Sequence, residues 1–189
     1  NDIIVLDELD DLFYTGDSNY FGADSFTFQV YDGAAWSATA TMSITVSAVN
    51  DVPTWSASAA DVSGNEDTAI SITGATIADV DDTTMDAFTM TSTQGGTYSL
   101  ANSATGLSFS VGDGTADNAM TFSGTVANIN LAIATITWTS ASNDNTNAVL
   151  TMTPNDGAAG PDDTVAITVN SVNDVPTWSA SAADVSGNE

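Results

Sequence analysis

Ser25-Phe26-Thr27-Phe28-Gln29-Val30-Tyr31 places an apolar residue at every second position, and Thr39-Ala40-Thr41-Met42-Ser43-Ile44-Thr45-Val46 continues the pattern with Met42, Ile44 and Val46. Period two is the signature of a β-strand with one buried face, because successive side chains leave a strand on opposite sides. Leu107 to Val111 and Met120 to Phe122 alternate in the same way. Gly64-Asn65, Gly95-Gly96, Gly112-Asp113-Gly114 and Asp156-Gly157 are turn signals at short intervals between such runs. Many short strands with Gly, Asn and Asp turns predict an all-β chain of antiparallel sandwiches. One stretch departs from this period. Ile129, Ile133 and Ile136, matched upstream by Val5, Leu9 and Leu12, have i, i+4, i+7 spacing and predict a short helix crossing one end of each sandwich.

An internal repeat organises the chain. Val49 to Glu66 recurs without a mismatch as Val172 to Glu189, an offset of 123 residues. Upstream of each copy, Met42, Ile44 and Val46 align with Val165, Ile167 and Val169. One residue further out of step, Phe26 and Phe28 fall on Leu150 and Met152, and Tyr14 falls on Trp138. The expected organisation is therefore residues 1–51 as the C-terminal part of one repeat, 52–174 as a complete repeat, and 175–189 as the start of the next. A repeat of this length has the size of an independent domain rather than of a solenoid turn, so the chain reads as a window on a longer array of beads.

The composition excludes most chemistry. The 189 residues include 25 Asp and Glu and no Lys, Arg, His or Cys, giving a formal charge of −25. Without imidazole, thiol or amine side chains there is no Ser-His-Asp or Cys-His nucleophile, Schiff base, His- or Cys-ligated zinc, or arginine clamp. Such a charge also repels nucleic acid and anionic lipid, so neither is an expected partner. A hydrophobic fraction of 42% with 4 Trp, 4 Tyr and 7 Phe supplies a core, and the chain is expected to fold. No apolar run approaches the roughly 18 residues of a membrane span, and no membrane insertion of this segment is expected.

Asn19-Tyr20-Phe21-Gly22-Ala23-Asp24-Ser25-Phe26-Thr27-Phe28, then Tyr31-Asp32-Gly33, Ile44-Thr45-Val46 and Val49-Asn50-Asp51-Val52-Pro53, resembles the closing half of the bacterial cadherin-like and immunoglobulin-like tandem repeats of large extracellular adhesins and surface proteins. Asn65-Glu66-Asp67-Thr68 resembles the opening of such a repeat. Gly106-Leu107-Ser108-Phe109, Gly112-Asp113-Gly114-Thr115 and Met120-Thr121-Phe122-Ser123-Gly124 resemble the middle of its longer variant. The resemblance implies extracellular, calcium-stabilised β-sandwiches strung end to end between a cell anchor and a distal binding tip.

The residues themselves give a chemical reason to expect cations. Every carboxylate lacks a cationic side-chain partner anywhere in the chain, and hard oxygen donors are what Ca2+ prefers. The expected ligands are Asn50, Asp51, Asn173 and Asp174 at the repeat junctions, Glu66 and Asp67 at the repeat opening, and the cluster Asp79, Asp81 and Asp82. The bland alternative for each is a solvated polar turn. Asp32 and Asp156 precede glycine at strand ends and read as turn residues. Asp162-Asp163 and Asp10-Asp11 read as surface.

Trp55 and Trp178 follow the junction prolines Pro53 and Pro176 and read as linker anchors, with a sugar-stacking platform as the sharper alternative. Trp138 reads as core, and Trp36, opposite Gly160 in the repeat, reads as exposed. A carboxylate-only glycosidase is the one enzyme class the composition permits, and repetition of the domain argues against it, so no enzyme is expected. The expected function is a calcium-stabilised spacer or shaft segment of a large cell-surface or secreted adhesin-like protein, with neighbouring repeats as partners. The alternative is a self-assembling extracellular filament, sheath or lattice of identical chains, built by domain packing or strand exchange. Glycan binding through Trp36 or Trp55 is the third reading.

Overall fold

The computed structural model describes residues 12–103 and 106–178. The chain divides into two compact units, Asn1–Asp51 with Val80–Asp82, and Val52–Asp79 with Thr83–Glu189. In the first unit β1 (Gly22–Phe28) and β2 (Ala40–Val46) form an antiparallel hairpin, with Phe26 opposite Met42 and Phe28 opposite Ala40. Both alternating runs are therefore strands. The expected buried face is not sealed: Phe28 is 39% and Met42 49% exposed, because a two-stranded sheet has no second layer among the described residues. Val5 and Leu9 of the expected upstream helix lie outside the described residues, and Leu12 lies in irregular chain.

The second unit is a β-sandwich. Its strands are β3 (Thr54–Ala57), β4 (Val62–Asn65), β5 (Ile70–Thr73), β6 (Thr76–Ala78), β7 (Thr84–Ser92), β8 (Gly96–Leu100), β9 (Ser108–Val111) and β10 (Ala119–Thr125). They are followed by helix α1 (Val126–Ile133) and strands β11 (Thr135–Ser140), β12 (Ala148–Asn155) and β13 (Asp163–Asn170). One sheet has the order β4-β13-β12-β7-β10-β9, a second β5-β11-β8, and β3 pairs with β6. Only β4 and β13 are parallel among these pairs.

Register explains the core. Met120, Met90 and Met152 stand abreast on β10, β7 and β12, and all three are fully buried. Phe122 stands opposite both Phe88 and Phe109, with ring centroids 5.3 and 5.2 Å apart. In the smaller sheet Ile72, Ile136 and Leu100 form one row, and Ile70, Trp138 and Tyr98 the next. These rows from both sheets make one continuous core, each large side chain contributing about 1.5–3 kcal/mol by leaving water.

The predicted helix exists and is shorter than its spacing suggested. Thr125 caps it, its hydroxyl accepting the Asn128 N–H at 3.1 Å, and Ile129, Ala132 and Ile133 face the core. Ile136 belongs to β11 instead, so the i+7 match came from a residue buried on a strand. Asn130 ties the helix to β6, exchanging hydrogen bonds of 2.8 and 2.9 Å with both backbone groups of Ile77.

Gly95-Gly96, Gly112-Asp113-Gly114 and Asp156-Gly157 mark turns as expected, while Gly64-Asn65 does not: both residues lie in β4, and the turn follows at Glu66. Gly64 is needed for closeness rather than for turning, since a Cβ there would stand 2.5 Å from Cγ1 of Ile70.

Candidate functional site

The side chains available for chemistry are carboxylates, and their surroundings decide what they do. Glu66 is only 5% exposed. Its carboxylate accepts the Val172 N–H at 2.7 Å and its own N–H donates to the Asn170 carbonyl at 2.9 Å, clamping the β4–β5 turn to the chain as it leaves β13. Asp67 follows in left-handed backbone conformation (φ 58°), which the short polar side chain tolerates. Its N–H donates to the Ser140 hydroxyl and its carboxylate accepts the Asn143 N–H at 3.0 Å, fastening the turn to the loop after β11.

The other expected ligands are spread out. Asp51 and Asp81 meet within the first unit, where the Asp51 N–H donates to the Asp81 carboxylate at 3.2 Å. Asp79 and Asp82 are half-buried in the bend between β6 and β7. Asn50 and Asn173 turn their side-chain amides onto the carbonyls of the adjacent Asp51 and Asp174, and Asn173 and Asp174 are exposed. Among the described residues, no three Asp or Glu side chains converge as a ligand set for one ion.

Backbone amides are the partners these acids share. Asp32 accepts from Ala34 and Ala35 at 2.9 Å each, and those N–H groups, Ala35 first, hold its carboxyl below the usual range. Asp156 accepts from Ala158 in the equivalent turn. The turn reading of both residues is thus supported by their geometry. Asp144 is lowered by Thr146, chiefly through its side chain and then its N–H. Tyr14 donates its hydroxyl to Asp24 at 2.7 Å, which lowers the carboxyl and pushes the phenol up to about 12.

Four acids that sequence reasoning passed over or misplaced hold specific partners, and two of them, Asp163 and Asp61, do so more than a hundred residues away. Asp163 is 8% exposed rather than on the surface, and it accepts the Ala59 N–H at the start of β13. Its companion Asp162 accepts the Thr153 hydroxyl. Asp61 accepts the Ala166 N–H at 2.9 Å, and Asp117 accepts from both Asp113 and Gly114 at 2.8 Å. Only local capping of the Asp-Gly type leaves a mark in the sequence; a carboxylate answering an amide 105 residues away does not.

The aromatic candidates separate cleanly. Trp138 is 1% exposed and belongs to the core, whereas Trp36 is 53% exposed and rests on Tyr31, their ring centroids 4.9 Å apart. Trp55 packs edge-on against Phe88 and donates its indole N–H to the Pro161 carbonyl at 2.7 Å, as an anchor should. An open depression of about 360 Å³ between β7 and β10 is lined by Thr84, Met85, Asp86, Gly106, Ser123, Gly124 and Thr125. It carries one carboxylate, and a two-acid glycosidase mechanism requires a pair.

No helix among the described residues is long and apolar enough to cross a membrane. Residues 2–45 match the family model described as the bacterial Ig domain. No curated protein matches the chain. Similar solved structures include domains 4 and 5 of the S-layer protein SbsC, at 15% identity and TM-score 0.32 over 69% of this chain and 58% of that one. Domains 1–6 of the same surface layer protein match at 15% and 0.33 over 72% and 15%, and a chimeric titin Z1Z2 matches at 12% and 0.27 over 66% and 99%. This chain therefore spans less than two thirds of either SbsC structure. The resemblance to bacterial immunoglobulin-like repeats is borne out, on the family match at residues 2–45 and on the β-sandwich built from the residues above.

Proposed function

We propose that this chain is a structural segment of a large bacterial cell-surface or secreted protein, a shaft of successive Ig-like sandwiches that holds an adhesive tip away from its anchor. The observation that carries this reading is the duplication itself: the 123-residue period brackets one sandwich with one continuous core, and the same junction sequence stands on either side of it. Repetition of a complete domain serves length and spacing, not a unique cleft. Rigidity in such a shaft is set by how firmly each junction is held, and the clamp from Glu66 to Val172 acts at one of them.

Calcium is the finer part of the proposal. Its support is chemical: 25 carboxylates without a cationic side chain, and paired Asn-Asp groups at both junctions where oxygen donors can meet an ion. An ion that binds only the folded chain stabilises it by RT ln(1 + [L]/Kd), so even weak sites matter where calcium stands above their dissociation constant. Electron microscopy of shadowed arrays tests the shaft: particle length should grow linearly with repeat number, and bending should increase in EDTA. Compact clusters, or lengths unrelated to repeat number, contradict it.

A further inference from the structure

β4 lies at the end of the six-stranded sheet and, among the described residues, pairs only with β13. The two strands run parallel, with Val62 opposite Ile167, Ser63 opposite Thr168, Gly64 opposite Val169 and Asn65 opposite Asn170. The chain enters the sandwich at Pro53, passes through β3 to the N-terminal end of β4, and leaves from the C-terminal end of β13. Tension along a tandem array therefore pulls these two neighbours in opposite directions along their shared axis. A ladder loaded in that way shears, and its hydrogen bonds must stretch together. A ladder pulled apart from one end gives way bond by bond. Carboxylates reinforce both ends of the pair: Asp61, just ahead of β4, accepts the Ala166 N–H at 2.9 Å, and Glu66, just after it, accepts the Val172 N–H at 2.7 Å. Hydrogen bonds to an ionised acceptor are roughly twice as strong as neutral ones.

We propose that the β4–β13 pair, with Asp61 and Glu66 at its ends, is the load-bearing clamp of the repeat, the element that must fail before tension unfolds the sandwich. The pair joins residues more than a hundred positions apart, and strands β5 to β12, helix α1 and most of the core lie within the loop it closes. While the pair holds, tension crosses from β4 to β13 and those elements carry none of it. Asp163 ties the incoming path once more, its carboxylate accepting the Ala59 N–H at 3.1 Å between β3 and β4. The inference rests on the shaft reading for the direction of load, and it does not depend on calcium.

Force spectroscopy of the whole 189-residue chain in EDTA tests it, with pairs of introduced cysteines as handles, since the sequence has none of its own. Val52→Cys with Asn173→Cys loads the pair in shear. Ala69→Cys with Asn173→Cys, both at exposed positions beyond the same end of the pair, peels it from Glu66 onward. Rupture of the sandwich in shear is recognised by the release of about 400 Å of chain, from about 120 residues at about 3.3–3.6 Å each. The expected result is a rupture force several-fold higher in shear than in peeling at one loading rate. Asp61→Ala should lower the shear force and leave the peeling force unchanged, because peeling meets Asp61 last; Asp61→Asn, which keeps an acceptor oxygen, should recover part of the loss. Equal forces in the two directions overturn the clamp. So does an Asp61→Ala chain whose shear force matches the parent, or whose two forces fall together as a general loss of stability requires. The growth of array length with repeat number judges the shaft separately, so either reading can fail while the other stands.

Discussion

Replacing Glu66 by alanine removes a single, nearly buried carboxylate whose contact closes a loop of 106 residues. The Glu66 N–H keeps its bond to the Asn170 carbonyl in the variant, so the change isolates the clamp on Val172. A hydrogen bond to a charged group is worth about 1.5–3 kcal/mol. Val172 is 44% exposed, so its freed N–H can be taken up by water, which places the expected cost at the low end, about 1–2 kcal/mol. For a domain of this size each kcal/mol moves the melting temperature by about 4 °C, which gives a loss of about 4–8 °C for Glu66→Ala. Glu66→Gln keeps an acceptor oxygen and should lose about half as much. Circular dichroism melts in EDTA and in millimolar calcium separate two roles for the same side chain. A clamp gives the same deficit in both media, while an ion ligand gives a deficit only when calcium is present. Melts of Glu66→Ala within about 1 °C of the parent in EDTA would refute the clamp.

Trp138→Ala empties a fully buried site and should cost about 3–5 kcal/mol, whereas Trp36→Ala should leave the melt of the sandwich unchanged, since Trp36 is 53% exposed and stacks on Tyr31 in the first unit. Gly96 has φ +145° and a Cβ there would stand 2.8 Å from the Thr139 carbonyl oxygen and from the Trp138 ring. Gly96→Ala should therefore destabilise by more than about 1–3 kcal/mol, read by urea denaturation, and more than Gly95→Ala, which meets nothing. Burial pushes the Tyr98 phenol up to about 12, the Ser92 hydroxyl acting weakly the other way. A raised tyrosine value favours the folded state below the unfolded value near 10, and that share of stability is lost as pH rises from about 10 through 12. Tyr98→Phe should flatten the decline in stability over that window, and in an absorbance titration it should remove one of the two late-ionising phenols, Tyr14 being the other.

The strands were readable because one-face burial writes itself into the chain at period two, and the repeat could be found by matching letters. Burial in β1–β2 could not be read, because Phe28 and Met42 carry the same pattern as the sealed Met152 and Val165 and differ only in what lies opposite. Ile136 deceived for a related reason: helix and strand residues beside one core are apolar alike, and i+7 does not distinguish them. Gly64 reads as a turn from composition, yet it serves a close approach to Ile70 that only the packed fold defines. The acids follow the same division. Asp32 caps amides two and three residues on and is legible, whereas Asp61, Glu66 and Asp163 answer amides more than a hundred residues away, on strands brought alongside by the sheet.

The most direct measurement is the melting temperature of the chain in millimolar calcium, in magnesium and in EDTA at one ionic strength. A calcium-held shaft predicts a rise of several degrees in calcium alone, lost on substituting Asp51 and Asp174 together. Superimposable melts in all three media contradict calcium at the junctions and leave the carboxylates to the backbone amides they already hold.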